Sequence, residues 1–551
     1  MLRGGEMERA DSVWSNGRIY VVDKAFSVCE AIAVKDGRII FAGTSDEAQK
    51  FVGAGTAVTD LNGRAVLPGL NDAHLHFHYL GETKMRVDCY WKSKDDILRL
   101  VREAAAKAGC GEWVLGWGWN QMVWDPPIFP TKDDLDAAAP DVPVALERTC
   151  EHMTWLNSRA MEAVGISENI ANPVGGEFLR DSEGRLNGLV TDNAQNCVVD
   201  AEPKLTEAQD FEALLLAQNE LFKFGITSAT DAGTDLDIIE RMKKLYSQGK
   251  LKIRLDVMVR RGMNKSPKFI IEQTREWLAK GKEVGLFDNR MQVRCLKISA
   301  DGSLGGRSAW MLEDYNDRAG HRGNGKLSDD ELYTLVSEAH RAGMQVSVHA
   351  IGDAANRQVL DIYERVLTEA PKKDHRFRIE HAQIVNKNDF NRFMELGVLP
   401  SMQTVHGASD MNMAEERIGA ERLEYSYAWR KFLDAGAIIP NGTDTPVESP
   451  DPWINLYAAV TRKDKNGKRR PGWNAEDAMT REEALCSYTI WPAYASFEED
   501  FKGSLEVGKA ADFIVTDKDF MTCDAEDIPH IKVLRTVLNG DTVYDSGCAE
   551  G

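Results

Sequence analysis

The chain has 551 residues, of which 43% are hydrophobic, and a formal net charge of −20. This length can bury a large core, either in a few domains or in one large α/β barrel with an appendage. The acidic charge argues against nucleic acids and anionic membranes as partners, and no apolar run approaches the ~20 residues needed to span a bilayer.

The start of the chain has no apolar segment of signal-peptide length. The nine cysteines are odd in number and form no CxxC pair. This pattern is typical of reduced thiols, so we expect a cytoplasmic protein.

Residues 1–68 contain short segments rich in β-branched residues: RIYVVD, AIAVKDGRIIFAG and AVTDLNGRAVLPG. Their DG and NG pairs are typical of hairpin turns. We therefore predict that this region forms short strands.

Between residues 69 and 500, helical segments that end in glycine repeatedly precede short apolar strands. In one unit, Ser328 and Glu331 predict a capping box, and Gly343 supplies the left-handed residue that ends the helix. Helices that alternate with buried strands predict a parallel sheet with helical crossovers. So many repeats favour a closed (β/α)8 barrel in an α/β protein over an open sheet.

The repeat pattern loosens between about residues 82 and 215. KDDILRLVREAAAKAG predicts an amphipathic helix, whereas EWVLGWGWNQMVWDPP and PVALERTCEHMTWLN are tryptophan-rich and strand-like. We interpret the region as an α/β insertion after the first barrel strand. The alternative is a second barrel strand with long loops.

Residues 501–551 again read as strands, in ADFIVTD and VLRTVLNGDTVYDSG. Two β segments at opposite ends of a chain can pair into one small domain. We expect residues 1–68 and 501–551 to form a composite β-sandwich.

Polar residues follow the apolar strands of the predicted barrel. The carboxyl ends of the strands are where barrel enzymes carry their chemistry. We therefore expect five imidazoles, a lysine and a carboxylate at one barrel mouth, namely His74, His76, Lys297, His349, His381, His406 and Asp444.

The stretch DAHLHFHYLG indicates a metal site. One residue separates His74 from His76 near a strand end, so both side chains point the same way and can reach one ion. Imidazole and carboxylate suit Zn²⁺, which activates water for hydrolysis. Each of these residues alone is more often structural, and only their joint occurrence supports the metal site. We interpret His78, which has the same parity, as a loop or pocket-wall residue.

Seven stretches carry a family resemblance: LPGLNDAHLHF, GWGWNQMVW, LKISADGSLGGRSA, VSVHAIGDAANRQVLD, RIEHAQ, GTDTPVESPDPW and GSLEVGKAADFIV. Together they resemble the amidohydrolase superfamily, in its family 3 (YtcJ-like) branch, which includes N-substituted formamide deformylases. The resemblance covers nearly the whole chain. It implies a fold and a reaction type but no particular substrate.

The resemblance also implies a set of metal ligands. Lys297 matches a strand-4 lysine that is carboxylated by CO₂ in binuclear members and bridges two metals. We expect this modification because burial lowers the pKa of lysine. The resemblance leaves open whether the site holds one or two ions, and whether they are Zn²⁺ or another divalent metal. The implied ligands are His74, His76, Lys297, His349, His381 and Asp444.

Four residues are candidates for substrate binding. Trp119 is a candidate wall for an apolar group, with an ordinary core role as the alternative. The resemblance places His152 near the pocket, where it would bond a substrate carbonyl, and His406 is a similar candidate. Arg307 is a candidate for binding a carboxylate, with a structural ion pair as the alternative.

We predict a metal-dependent amidohydrolase that cleaves a C–N bond of amide type, other than a peptide bond, in a small molecule. Metal-activated water is the nucleophile, and Asp444 acts as general base and then as acid. One alternative is an ester, lactone or cyclic amide as the substrate of the same site. Another is a non-catalytic binding or regulatory protein on a retained barrel. A homodimer is the default assembly, because closed two-fold assemblies are common.

Overall fold

The computed structural model describes residues 9–109, 111–121, 124–149, 153–173, 176–262, 265–467 and 473–547. These residues form two compact units. The first comprises the described parts of Met1–His76 and Gln218–Gly551, and the second those of Phe77–Ala217. Within the described ranges, no helix is both long and apolar enough to cross a membrane.

The strands are numbered in chain order. They are β1 Ser12–Ser15, β2 Arg18–Tyr20, β3 Val28–Cys29, β4 Ala31–Lys35, β5 Arg38–Gly43, β6 Ala57–Asp60, β7 Ala65–Pro68, β8 Leu70–Leu75, β9 Val87–Asp88, β10 Val114–Trp119, β11 Val144–Arg148, β12 Met153–Leu156, β13 Gly176–Arg180, β14 Leu186–Asp192, β15 Ile226–Thr234, β16 Arg254–Val259, β17 Glu283–Gly285, β18 Met291–Ser299, β19 Gln345–Ala350, β20 Arg378–His381, β21 Leu399–Ser401, β22 Phe513–Thr516, β23 Val533–Leu538 and β24 Asp541–Asp545.

The α-helices are numbered in the same way. They are α1 Ser45–Ala48, α2 Phe77–Met85, α3 Lys94–Ala105, α4 Lys132–Ala138, α5 Ser158–Ala163, α6 Asn196–Ala201, α7 Glu207–Lys223, α8 Leu236–Ser247, α9 Pro267–Leu278, α10 Leu286–Asn289, α11 Asp329–Arg341, α12 Asp353–Glu369, α13 Arg392–Leu396, α14 Thr404–Asp410, α15 Ala414–Leu423, α16 Trp429–Asp434, α17 Pro452–Thr461, α18 Arg481–Ser487 and α19 Ile490–Ala495.

A parallel sheet in the first unit forms a nearly closed barrel. Its order is β8, β15, β16, β18, β19, β20 and β21, with β17 paired to β18. The segment that follows Ile439 bridges the gap between β21 and β8. Met402 donates its N–H to the carbonyl of Pro440 (3.0 Å), and Ala73 donates its N–H to Asn441 (3.0 Å). The predicted parallel barrel in a mixed α/β protein is confirmed, although this last segment is not a regular strand.

The helix before β19 begins and ends at the predicted signals. Ser328 and Glu331 form the capping box of α11. Gly343 follows the helix with a φ of +77°, a conformation that favours glycine. Leu335 and Val336 lie on the buried face of α11. The local pattern therefore predicted both ends of this helix.

Strands from both chain ends share one sheet in the first unit. Its order is β24, β23, β22, β7, β2 and β3, and β22 pairs antiparallel with β7. A second sheet has the order β5, β4, β1 and β6. One hydrophobic cluster draws on both sheets, with the rings of Trp14 and Phe513 packed edge to face at 5.1 Å. The composite β-sandwich, as a domain with the stated boundaries, stays a prediction.

The second unit contains a six-stranded sheet with the order β13, β14, β12, β11, β10 and β9. Strands β9, β10 and β11 are parallel, whereas β12, β13 and β14 pair antiparallel. Helix α3 buries Ile97 and Val101, as its amphipathic pattern predicted. The unit covers residues 77–217, and the insertion boundaries near 82 and 215 stay predictions.

A buried ion pair connects barrel strand β16 to the segment before β22. Nε of Arg254 lies 2.6 Å from Oδ2 of Asp512, and the two side chains are 1% and 6% exposed. Asp512 also accepts the N–H of Asn539 at 2.7 Å. Removing one partner leaves the other charge buried and unpaired, which costs about 3–5 kcal/mol.

We therefore expect Arg254→Met to lower the free energy of unfolding by about 3–5 kcal/mol, measured by urea denaturation. Arg99→Met is the matched control, because Arg99 pairs with Glu103 at an exposed position and surface pairs contribute little. Adding Asp512→Leu to Arg254→Met should recover part of the loss. An Arg254→Met variant as stable as the wild type would contradict the expectation.

Candidate active site

Two histidines at the end of β8 face one carboxylate. His74 lies in β8 and His76 one residue beyond it, so the period of a strand puts both imidazoles on the same side. Nε2 of His74 lies 3.3 Å, and Nε2 of His76 3.1 Å, from Oδ1 of Asp444. One donor atom from each of these residues lies within 4.8 Å of the other two. Two imidazoles and a carboxylate in this arrangement fit a divalent cation.

Backbone hydrogen bonds hold Asp444 in place beside β8. The N–H of Asp444 donates to the carbonyl of His74 at 2.7 Å, and the N–H of His76 donates to the carbonyl of Thr445 at 2.9 Å. Gly442 permits this close approach, because a Cβ there would lie 2.5 Å from the backbone nitrogen of His74. The position of the Asp444 carboxylate therefore follows from the barrel backbone.

Glu380 orients the ring of His74. Its Oε2 lies 2.5 Å from Nδ1 of His74, while its Oε1 accepts the hydroxyl of Ser347 at 2.7 Å and lies 2.7 Å from Nε of Arg378. Burial opposes the charge of Glu380, but Arg378 and His74 outweigh it and hold the pKa of this carboxyl well below its usual range. An imidazole that donates one N–H to a carboxylate has its other nitrogen available for a metal. No role for Glu380 follows from the sequence alone, where its one signal is an ionisable residue inside the apolar strand RIEH.

His381 and His406 form a second group of donors with Asp444. His381 ends β20, and its ring centroid lies 5.0 Å from that of His74 and 5.8 Å from that of His406. Nε2 of His406 lies 3.7 Å from Oδ2 of Asp444. One donor atom each from His381, His406 and Asp444 lie within 4.8 Å of one another. Asp444 thus belongs to both groups.

His349 lies near these groups, but in the described chain it belongs to neither. Its ring centroid is 4.4 Å from that of His381. Its Nε2 lies 3.2 Å from the carbonyl oxygen of Gly302 and 3.3 Å from Oδ1 of Asp301. The buried Asp301 also accepts the N–H of Ile351 at 3.0 Å. These contacts hold the His349 ring and give Asp301 a positioning role that had not been predicted.

Lys297 lies in β18 and is 5% exposed. Burial is the main cause that lowers the pKa of Lys297 to about 8, although Glu380 and Asp444 oppose the shift. Gly233 lies against its stem, since a Cβ there would be 3.1 Å from Cγ of Lys297. A lysine with this pKa is uncharged far more often near neutral pH than an ordinary lysine.

Most protonation states around the barrel mouth suit metal ligands, and His74 is the exception. Burial opposes the charge of His74, but Asp444 and Glu380 outweigh burial and raise its pKa, so this imidazole releases a proton when it binds a metal. Burial lowers the pKa of His76 to about 4 and that of His381 well below its usual range. Burial opposes the charge of Asp444, but the charge of His74 outweighs it, and the pKa of Asp444 is well below its usual range. Metal binding requires neutral imidazoles and ionised carboxylates.

Trp119 and Arg307, two of the predicted substrate residues, have structural partners in the described chain. Trp119 is fully buried in the hydrophobic core of the second unit, with its ring 6.0 Å from that of Trp155, and its Nε1 donates to a backbone carbonyl. This is the core role given as the alternative, so the pocket-wall interpretation loses its support. Nη2 of Arg307 lies 2.8 Å from Oδ2 of Asp317, which is the alternative structural ion pair. His152 lies outside the described residues.

His78 has its own partners in the second unit. It lies in helix α2, so the loop interpretation was wrong. Its Nδ1 lies 3.0 Å from Oε1 of Glu82, and its Nε2 lies 2.7 Å from Oδ1 of Asp210. Two carboxylates thus hold the ring of His78.

The chain is similar to known hydrolases over nearly its whole length. Residues 57–544 match the model of the amidohydrolase family. The chain is 31% identical over 541 residues to YtcJ of Bacillus subtilis (strain 168), which is named as an amidohydrolase, with 97% of this chain and 99% of YtcJ covered. It is 27% identical over 548 residues to the N-substituted formamide deformylase of Arthrobacter pascens, with 96% of this chain and 97% of the deformylase covered. A solved structure of an uncharacterized metal-dependent hydrolase from Pyrococcus furiosus has a TM-score of 0.74 at 29% identity, with 93% of this chain and 100% of that hydrolase covered.

We expect Glu380→Gln to weaken metal binding by about 10–100-fold, because the neutral amide holds the Nδ1–H of His74 less firmly. Equilibrium dialysis of Zn²⁺ against a competing chelator measures the dissociation constant. Ser347→Ala is the control: it removes one hydrogen bond to Glu380 but keeps the contact with His74. Equal Zn²⁺ affinity in Glu380→Gln and in the wild type would rule out this role for Glu380.

Proposed function

This chain belongs to the amidohydrolase family and is a hydrolase, and from this premise we propose that it cleaves a C–N bond of amide type in a small molecule. One observation carries the proposal: the Nε2 atoms of His74 and His76 converge on one oxygen of Asp444. The similarity to a formamide deformylase supports the choice of a C–N bond.

The donors around Asp444 fit a divalent cation, and Zn²⁺ is the proposed one. Two imidazoles and a carboxylate oxygen are ligands that zinc takes in catalytic sites. His74 is orientated for this role by Glu380. The bound ion supplies the Lewis acidity that polarises a substrate carbonyl and makes water reactive near neutral pH.

Asp444 is the proposed general base and acid. Its carboxylate takes a proton from the attacking water as the new C–O bond forms at the carbonyl carbon. It then gives this proton to the departing nitrogen as the C–N bond breaks. The lowered pKa of Asp444 keeps the carboxylate ionised and ready to accept the proton.

The resemblance adds Lys297, His349 and His381 to the proposed ligands. We propose that Lys297 is carboxylated by CO₂, which only an uncharged amine attacks. A pKa of about 8 makes this form available near neutral pH. The modification replaces a positive charge with oxygen ligands beside Asp444.

The substrate side of the proposal depends on the resemblance. His152 and His406 are proposed hydrogen-bond donors to the substrate carbonyl. The burial of Trp119 and the ion pair of Arg307 with Asp317 count against direct contact of these two with substrate. A cytoplasmic location and a homodimer stay predictions.

We expect Asp444→Asn to lower kcat/KM by about 10²–10⁴-fold, because an amide does not act as a base. Metal content should be retained, since asparagine keeps one oxygen donor. A panel of N-substituted formamides, cyclic amides, esters and lactones, combined with elemental analysis, measures both quantities.

Asp330→Asn is the matched control, because Asp330 is exposed in the first turn of α11. Near-wild-type turnover in Asp444→Asn would contradict the assignment of the base. Turnover of esters or lactones alone would favour the alternative substrate class.

A further inference from the structure

A cavity of about 410 Å³ lies at the end of the barrel opposite the candidate active site. Lys252 and Arg290, which line it, come just before β16 and β18, whereas the metal donors lie at the carboxyl ends of the strands. Helix α8 and the β23–β24 hairpin add to the walls, and all the lining residues belong to the first unit. Small-molecule sites have volumes of roughly 300–1,000 Å³, so the cavity is large enough to hold a ligand.

Two stacked aromatic rings border the cavity. The centroids of Tyr246 and Phe287 are 5.2 Å apart, with an interplanar angle of 12°. The hydroxyl of Tyr246 donates to the carbonyl of Ile253 at 2.6 Å, which holds the ring in place. Leu251 and Leu538 add apolar surface, and each is 1% exposed. This lining suits a planar apolar group, because aromatic rings pack well against one another.

Phe287 is held in an unfavourable backbone conformation. Phe287, Asp288 and Asn289 have φ angles of 53°, 59° and 56°, so α10 is a left-handed turn. This turn is unfavourable for residues that carry a Cβ, and a bulky residue is rare in it. Arg254 holds the turn from the barrel side, because its Nη1 donates to the carbonyl of Asn289 at 3.2 Å. Backbone strain of this kind is concentrated at functional sites, so the position of Phe287 supports a binding role.

The cavity is bordered by two cations. Nη1 of Arg290 donates to the backbone carbonyl of Lys252 at 3.2 Å. In the part of the chain that the structure describes, neither side chain is in an ion pair, although the net charge of the chain is −20. Asp541 is the acidic residue of the lining, so two cations face one carboxylate. This balance favours an anionic ligand, and a guanidinium matches the geometry of a carboxylate.

We propose that this cavity binds a small aromatic carboxylate, with its rings against Tyr246 and Phe287 and its charge on Arg290. Lys252 adds a second positive charge. The site is separate from the candidate active site and goes beyond the proposed function. The ligand connects α8, α10 and the β23–β24 hairpin at the amino ends of two barrel strands. It stabilises the chain, because a ligand that binds only the folded state shifts the unfolding equilibrium.

Calorimetric titration of the full chain with naphthalene-2-carboxylate tests the site. The wild type should bind one molecule per chain in this cavity. Arg290→Gln should weaken binding by about 10-fold or more, because a charge-assisted hydrogen bond is lost. Phe287→Leu should also weaken it, since leucine has no ring face. Arg365→Gln is the matched control, because Arg365 pairs with Glu369 on the exposed side of α12. The neutral naphthalene-2-carboxamide should bind the wild type more weakly than the carboxylate does.

Two further measurements separate this site from the candidate active site. Binding should be the same with and without added Zn²⁺ and in Asp444→Asn, whether or not the wild type hydrolyses amides. Crystals of the complex should show the naphthalene ring beside Tyr246. Circular dichroism checks that each variant is folded.

Three outcomes would overturn the proposal. The first is no binding of naphthalene-2-carboxylate at millimolar concentration. The second is equal affinity in the wild type and in folded Arg290→Gln and Phe287→Leu. The third is binding that requires Zn²⁺, with the ring found only at the barrel mouth. Each of these outcomes leaves the proposed function intact, because hydrolysis does not depend on this cavity.

Discussion

The site depends on the closure of the barrel between β8 and the segment that carries Asp444. Because the N–H of Asp444 donates to the carbonyl of His74 at 2.7 Å, the backbone that carries the carboxylate cannot move away from β8 without opening the barrel. Asp72, buried beneath this contact, accepts the hydroxyl of Thr443 at 2.7 Å, and burial raises its pKa to about 7. Backbone pairing, rather than flexible side chains, therefore sets the distance between the donors, as preorganised catalysis requires.

The charges around this contact stabilise one another. Glu380 is fully buried and keeps its charge because Arg378 and His74 lie against it. Lys297 loses much of its preference for the charged form in the same surroundings. Buried charges are retained at a cost in stability unless each is paired. Nδ1 of His381 and Nε2 of His406 are buried and have no hydrogen-bond partner among the described residues.

Local signals made much of the fold predictable. The capping box at Ser328 and the glycines after helices act over a few residues, and the period of a strand placed His74 and His76 on one side. Contacts between distant segments were not predictable: Glu380 meets His74 across 306 positions in the chain. The core position of Trp119 and the two groups of donors that share Asp444 likewise depend on tertiary packing. Substrate identity has no local signal in this sequence, because the family motifs describe the shared chemistry.

Anomalous diffraction at the zinc absorption edge, from crystals of the full chain grown with Zn²⁺, shows whether His74, His76 and Asp444 hold a metal ion. We expect an anomalous peak about 2.0–2.1 Å from Nε2 of His74 and from Nε2 of His76, with an oxygen of Asp444 at a similar distance. A map with no peak between these three side chains, from protein that is saturated with Zn²⁺, would contradict it.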